Sequence, residues 1–288
     1  MVDRREFLHA GAAIATGAMV GNAPAARPQR PSPRPAQEFR TITYNVLACR
    51  GYPTRPENRV YLKRARKRMA ERFAMELDLY APDVVTFQES PSKAMVAAIA
   101  KSLGMNHTYF PGGFPGAVIT KHEIVESQNC PLVDGPRPRD LYTRHWGRAV
   151  LRVRDQEIAL FSAHLHPSKP DRRAREVTGM LATMAADLKK DRSFLFQGDL
   201  NHLPDDPEYV RWKSAGLIDT FATHGVGQPL TIPSTKPIKR IDYIWAHGPI
   251  AARTKECRVL FEGPFRTNPD DQRSFALSDH IAVMATFA

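Results

Sequence analysis

FLFQGDLNHLPDDPEY, residues 194–209, reads first as a core strand and then as a loop. Phe194 and Phe196 alternate onto one face, the run breaks at Gly198, and Pro204 and Pro207 punctuate the loop beyond it. Residues i and i+2 of a strand face the same side, so Asp199 and Asn201 are expected to present hard oxygens and an amide donor together at the strand's end. Asp and Asn are also ordinary turn formers, and the stretch by itself leaves both readings open.

The same pattern recurs along the chain. RTITYNV ends at Asn45, DVVTFQES at Gln88 and Glu89, and EIALFSAHLH at His164 and His166; RIDYIWA holds Asp242, and SDHIAVMATF begins with Ser278, Asp279 and His280. Between these runs lie helix-like segments: Arg59 to Tyr80 stopped by Pro82, Ser92 to Leu103 stopped by Gly104, and Asp171 to Lys190. Strands rich in Val, Ile and Phe interleaved with helices predict an α/β layered domain. GAVITK, GRAVLRV and EIALFSAH follow one another across turns, which predicts local antiparallel pairing and therefore mixed sheets. No linker divides residues 38–288, which are expected to form one domain.

The residues before this domain read differently. Arg4 and Arg5 precede Glu6, Phe7 and Leu8, then come a weakly apolar Ala/Gly-rich run and Ala23-Pro24-Ala25, a small-residue cleavage context. Residues 1–26 resemble a twin-arginine export signal, and the apolar run falls short of the roughly 20 residues that a membrane span needs. Residues 27–37, RPQRPSPRPAQ, read as a Pro-rich tether. The protein is therefore expected outside the cytoplasm, extracellular or periplasmic. Cys49, Cys130 and Cys257 permit at most one internal disulfide and have no zinc-site spacing.

The net charge of +11 is concentrated: residues 27–73 hold thirteen Arg and Lys against Glu38, Glu57 and Glu71. Such a segment attracts phosphate polymers or anionic surfaces. Leu62, Met69, Phe73, Leu77 and Tyr80 recur at helical spacing, however, so the same charges also suit the solvated side of an amphipathic helix.

Asn45, Glu89, His164, Asp199, Asn201, Asp242, Asp279 and His280 together are acids, amides and imidazoles, with no cysteine and no serine in a G-x-S-x-G elbow. Carboxylate and amide oxygens suit a hard cation, Mg²⁺, Mn²⁺ or Ca²⁺. Such a set can hydrolyse a phosphate ester without a covalent intermediate, the cation screening the phosphoryl charge while a histidine takes the proton of the attacking water. His280 is a candidate base, and Asp242 and Asp279 are both candidates to orient it.

The order TYNVL, PDVVTFQES, GAVITK, FSAHLHP, FQGDLNHLP, RIDYIWA, LSDHIAV, spread over residues 39–288, resembles the endonuclease/exonuclease/phosphatase superfamily. This group of metal-dependent phosphoesterases includes pancreatic-type deoxyribonucleases, abasic-site endonucleases, sphingomyelinases and inositol polyphosphate 5-phosphatases. The resemblance implies an α/β four-layer sandwich, two mixed β-sheets packed face to face with helices on the outside, and a site at one rim. It implies Glu89 as the principal metal ligand, with Asn45 and Asp279 near the same cation. Asp199 and Asn201 would hold the attacked phosphate and water, Asp199 also serving a second metal position. His280 would be the general base kept in place by Asp242, and His164 would donate to a phosphate oxygen; substrate contacts would come from Asn45, Asn201 and His164.

Nucleic acid is the expected substrate. A sphingomyelinase-like phospholipase C acting on membrane lipid, or a small-molecule phosphatase, are the alternatives, and Tyr109, Phe110 and Phe114 around Gly112 and Gly113 read either as a membrane contact or as a packed turn. Nothing calls for an obligate protein partner, and a monomer is expected. Two departures from the family pattern, Thr120-Lys121 in AVITK and Glu176 in Arg173-Ala174-Arg175-Glu176, are expected to bear on substrate contacts rather than on catalysis.

Overall fold

Side-chain alternation sorts each strand between a helix layer and a facing sheet. In the computed structural model, which describes residues 38–53, 55–189, 192–265, 267, 270–271 and 273–288, Phe194 and Phe196 pack outward under helices while Gln197 turns inward to a second sheet. The export signal and tether expected over residues 1–37 lie outside the described residues.

In chain order the elements are β1 (Phe39–Asn45), β2 (Tyr52–Pro53), α1 (Arg59–Ala65), α2 (Met69–Asp78), β3 (Val84–Gln88), α3 (Lys93–Leu103), β4 (Asn106–Phe110), β5 (Gly116–Thr120), β6 (Glu123–Asn129) and β7 (Trp146–Val153). There follow β8 (Gln156–His164), α4 (Pro170–Lys189), β9 (Phe194–Asp199), α5 (Pro207–Ser214), β10 (Ile218–Asp219), α6 (Thr220–His224), β11 (Gly225–Val226), β12 (Asp242–His247), β13 (Thr254–Val259), β14 (Phe275–Ala276) and β15 (Val283–Phe287).

One sheet has the order β11-β13-β15-β1-β3-β5-β4 and the other β10-β12-β9-β8-β7-β6. Both are mixed: β1 is parallel to β3 and β8 to β9, whereas β1 with β15, β9 with β12 and β7 with β8 are antiparallel. On the outer face of the first sheet Phe73 of α2 meets Tyr44 and Phe87, and Val96 and Ile99 of α3 join the same core. Outside the second sheet, Val177, Met180 and Met184 of α4 and Trp212 of α5 cover Phe161, Phe196 and Trp245. The result is the four-layer sandwich implied by the sequence.

Where the two sheets meet near the rim, the filling is polar. Gln197 of β9 donates from Nε2 to the Ile42 carbonyl at 3.1 Å and to Thr86 Oγ1 at 2.8 Å, and its Oε1 accepts from Thr41 Oγ1 at 2.9 Å. Thr86 Oγ1 in turn donates to Thr43 Oγ1 at 3.1 Å, and Thr43 reaches Gln88 Oε1 at 3.2 Å. All five side chains are fully buried, so each partner lost inside the seam would leave an unsatisfied polar group in a dry interior.

Two expectations are corrected. The helix read over Arg59 to Tyr80 is two helices separated by a 3₁₀ turn at Arg66–Arg68. That turn buries no residue, so three adjacent cations have no packing to hold them in α geometry. The antiparallel pairing of β7 with β8 is present, but GAVITK does not join them, because β5 pairs with β3 and β4 in the first sheet and β6 pairs with β7 in the second. The chain changes sheets in the short turn between β5 and β6. The three cysteines are all free thiols.

Gln197→Leu strips the Thr41 hydroxyl, Thr86 hydroxyl and Ile42 carbonyl of a partner at once. It is expected to lower the unfolding free energy by about 2–4 kcal/mol, read from urea titration; a loss under about 1 kcal/mol would show that the seam does not bind the sheets together.

Candidate active site

Four strand ends of each sheet arrive at one rim as two facing rows. The first sheet contributes His280 ahead of β15, Asn45 at the end of β1, Glu89 just past β3 and Phe114 ahead of β5. The second contributes Asp242 at the start of β12, Asp199 at the end of β9, His164 at the end of β8 and Arg144 ahead of β7. The rows are joined across the gap. His280 Nδ1 lies 2.9 Å from Asp242 Oδ2, and Asn45 Nδ2 donates to Asp199 Oδ2 at 2.9 Å. Arg144 Nη1 lies 3.4 Å from Glu89 Oε1 and 2.8 Å from His164 Nε2, with its guanidinium 4.0 Å over the Phe114 ring.

Local backbone conformation aims these side chains. Glu89 has φ +48°, Asn201 +51°, and Leu47, Ala48 and Cys49 have +47°, +49° and +53°. Left-handed conformations are unfavourable for such residues and persist where surrounding structure fixes them. Here Ala48 N donates to the Glu89 carbonyl at 2.7 Å and Leu47 N to Asn45 Oδ1 at 3.2 Å. Gly198 is required because a Cβ at that position would run into the Ala163 carbonyl oxygen of β8; this close approach sets Asp199 level with His164. In the SDH segment Ser278 Oγ donates to Asp279 Oδ1 at 3.1 Å and accepts from His280 N at 3.4 Å. Ser234 clamps that turn from outside, with Oγ on the Ser278 carbonyl and N on the Asp279 carbonyl, both at 2.7 Å.

The sequence assigns Asn201 to the strand face of Asp199, and the structure corrects this. β9 ends at Asp199, and Asn201 reaches the rim through a left-handed turn in which its N donates to Asp199 Oδ1 at 3.2 Å and its Nδ2 to the Leu165 carbonyl at 3.0 Å. The placement holds while the periodicity argument for it does not. Asp279 is half-buried and stands apart from the tight group of Asp199, Asp242 and His280, whose ligand atoms all lie within 4.8 Å of one another.

Charge in this group is strongly coupled. Burial alone would raise the Asp199 carboxyl, but His164 and His280 and the hydrogen bonds from His164 and Asn45 hold it well below the usual carboxylate range. Burial pushes Asp242 up, against the pull of His280. For His280 burial opposes the charged form, yet Asp242 and Asp199 overcome it and raise the imidazole to about 10. The two carboxylates thus favour the charged form of His280, whose Nδ1 faces Asp242 Oδ2. His164 Nε2 lies 3.2 Å from Asp199 Oδ2 as well as beside Arg144, and its single ring nitrogen can donate to the one or accept from the other, not both.

The donors proposed for a cation, Glu89, Asn45, Asp279 and Asp199, are all oxygens, which fits Mg²⁺, Mn²⁺ or Ca²⁺. Asn45 Nδ2 links two of these carboxylates, 3.4 Å from Glu89 Oε1 and 2.9 Å from Asp199 Oδ2.

Sequence reasoning misses Arg144. It sits two residues before a strand whose register, Trp146 opposite Ala163, alone brings it beside His164; YTRHW carries no local signal of that. Both departures from the family pattern fall away from the rim. Lys121 follows β5 at the opposite end of the sandwich, 4.0 Å from Asp83. Arg173 is buried against Glu208 at 2.9 Å, while Glu176 accepts from Tyr142 N at 2.7 Å and His166 N at 3.4 Å. Arg173 and Glu176 thus brace α4 against α5 and against the backbone on either side of Arg144 and His164. Of the aromatic cluster, Phe110 is fully buried and Tyr109 half-buried, while Phe114 is 42% exposed beside the exposed Gly112 and Gly113, with Arg144 over its ring.

No curated protein matches the chain by sequence. Solved structures share its fold. An endonuclease/exonuclease/phosphatase family protein from Bacteroides thetaiotaomicron superposes with a TM-score of 0.65 at 17% identity, covering 86% of this chain and 97% of that one. A mannosyl-6-phosphatase from the same organism gives 0.66 at 16%, covering 86% and 98%, and truncated TDP2 from Caenorhabditis elegans gives 0.64 at 16%, covering 87% and 97%. The sequence profile described as Endonuclease/Exonuclease/phosphatase family matches residues 42–280, from within β1 to His280, and the chain belongs to that family.

Proposed function

We propose that this chain is an exported, divalent-cation-dependent phosphodiesterase that cuts nucleic acid by direct attack of water, with His280 as general base. The observation that carries the reading is the His280–Asp242 pair, 2.9 Å apart, set beside Asp199 and faced by Asn45 and Glu89. Export rests on the character of residues 1–26; no helix among the described residues is long and apolar enough to cross a membrane.

With Nδ1 committed to Asp242, His280 has Nε2 left for the water proton, 3.7 Å from Asp199 Oδ2. The imidazolium so formed is stabilised by both carboxylates. A cation held by Glu89, Asn45, Asp279 and Asp199 would screen the phosphoryl charge, stabilise the leaving oxygen and, by adding positive charge beside Asp199, bring His280's proton affinity down to that of a working base. His164 and Arg144 are placed to donate to phosphate oxygens, and Asn201, its Nδ2 tied to Leu165, keeps an amide oxygen to orient water.

Nucleic acid is favoured by the concentration of positive charge in residues 27–73. A phospholipase reading keeps only Phe114 among these rings exposed for a membrane contact. A phosphatase reading draws on the fold shared with the mannosyl-6-phosphatase, and a panel of nucleic acid, sphingomyelin and sugar phosphates under Mg²⁺, Mn²⁺ and Ca²⁺ separates the three.

Plasmid DNA or RNA is expected to be cleaved with divalent cation and untouched with a chelator. Glu89→Ala and His280→Ala are expected each to lower kcat at least about 100-fold while keeping the native circular dichroism spectrum; full activity in either variant overturns the assignment of roles. The raised His280 pKa also fixes a sign. Its contribution to stability is complete below its ordinary value of 6.5 and is lost as pH rises through about 10. In chelator, the stability gap between the natural protein and His280→Gln is therefore expected to be widest in mild acid and to shrink toward high pH in urea titrations; a gap independent of pH would show that His280 is not held protonated.

A further inference from the structure

Tyr142, two residues before Arg144, holds a left-handed conformation with φ +51°. That conformation is unfavourable for a bulky side chain and persists where its surroundings over-determine it. Here one residue of α4 holds it at both ends. Tyr142 N donates to Glu176 Oε1 at 2.7 Å, and the Tyr142 hydroxyl donates to the Glu176 carbonyl at 3.1 Å. Gly179, three residues further along α4, leaves room for that hydroxyl, since a Cβ there would collide with it.

The other carboxylate oxygen serves the neighbouring strand. Glu176 Oε2 accepts from His166 N at 3.4 Å, two residues past His164. Arg173, three residues before Glu176 and so on the same side of the helix, donates from Nη1 to the His166 carbonyl at 3.2 Å and to the Pro167 carbonyl at 3.3 Å. Between the two attachments the segments join each other directly, His164 N donating to the His145 carbonyl at 2.9 Å. Arg144 and His164, whose side chains meet at 2.8 Å, therefore stand inside a closed ring of bonds that begins and ends at one carboxylate.

Glu176 is 2% exposed, so its bonds are shielded from water. Burial pushes its carboxyl up, while the bonds from Tyr142 and His166 and the charges of Arg172 and Arg144 pull it back; both attachments favour the ionised form. Two backbone N–H groups need two acceptor oxygens. A carboxylate has both, whereas the carboxamide of glutamine has one and would turn its NH₂ toward the other N–H.

We propose that Glu176 is the positioning residue for Arg144 and His164: by binding one N–H beside each, it sets the spacing at which the two side chains meet the same phosphate. The proposal rests on the phosphoester-hydrolase reading above and adds to it a residue behind the rim that fixes two of its donors.

A double-mutant cycle tests it. Glu176→Gln, which keeps the size of the side chain and loses one acceptor, is made in the natural protein, in Arg144→Gln and in His280→Gln. With Mg²⁺ or Mn²⁺, kcat and KM are measured on bis-p-nitrophenyl phosphate and on p-nitrophenyl phosphate; in chelator, the Kd of a thymidine dinucleotide is read from an NMR shift titration. Alone, Glu176→Gln is expected to lower kcat/KM and to weaken dinucleotide binding, each at least about tenfold. With Arg144→Gln already present the further loss is expected to shrink to about threefold or less, because one of the two dependent side chains is gone. In His280→Gln the weakening of binding is expected at full size. Should Glu176→Gln fail to fold, Tyr142→Phe, which removes only the hydroxyl bond, is expected to give a smaller loss with the same dependence on Arg144.

An equal loss in all three backgrounds would mean that Glu176 serves the stability of α4 alone, and overturns the proposal. Unchanged turnover and binding in Glu176→Gln overturn it as well. Turnover of the monoester alone moves the reading to a phosphatase, and the cycle is then decided on that substrate. If neither ester is turned over, the phosphoester-hydrolase reading fails on its own and dinucleotide binding decides the cycle; if the natural protein neither turns over an ester nor binds the dinucleotide, both fall together.

Discussion

The registration of one sheet on the other is the constraint that governs everything built above it. A site made of two rows works only if the sheets cannot slide, and apolar packing between two flat faces resists sliding weakly because it has no direction. The Gln197 seam supplies direction. Its hydrogen bonds reach Thr41, Ile42 and Thr86 from β9, and Gln197 and Thr43 lie two residues below Asp199 and Asn45 on the same strand faces. A shift of one residue would break every bond of the seam and separate Asn45 from Asp199 together. The polar interior is costly on its own, and its return is specificity of alignment.

Above the seam the rim gathers Glu89, Asp199, Asp242 and Asp279 with few cations to balance them. Two groups face them: the His280 imidazole, whose charged form Asp242 and Asp199 favour, and the guanidinium of Arg144 against Glu89. Each is exchangeable. In the role proposed for His280 a proton on it would have to leave, and Arg144, braced on Phe114, would turn from Glu89 to an entering phosphate. Strained left-handed residues at Leu47–Cys49, Glu89 and Asn201 hold the ligands in place while these charges are exchanged.

Most of this is legible in the sequence because Asn45, Glu89, His164, Asp199, Asp242 and His280 each mark the end or start of a strand, and apolar alternation locates strand ends. Alternation says which face a residue takes, but not which sheet its strand joins, so it pairs GAVITK with the wrong neighbours. It says nothing of a turn with positive φ, and it places Asn201 correctly for an incorrect reason. Arg144 depends on the register of β7 against β8 and on Phe114 from a distant loop, neither of which leaves a trace in YTRHW. Gln197 looks like any polar residue beside two phenylalanines; only the facing sheet gives it partners. The motif around Arg173 and Glu176 is legible as a departure from the family pattern, but its partners, Glu208 and the loop before β7, are not.

β1, the first strand, lies in the middle of its sheet between β3 and β15. His280 arrives on the lead-in to β15, after every other strand of both sheets. A chain still emerging from the ribosome therefore has Asn45, Glu89, His164, Asp199 and Asp242 before Asp279 and His280, and its first sheet is open along β1 until β15 is made. The pair that joins the two sheets at the rim is thus the last to be completed: a protein cut short before His280 lacks the partner of Asp242, whatever else of the sandwich it has formed.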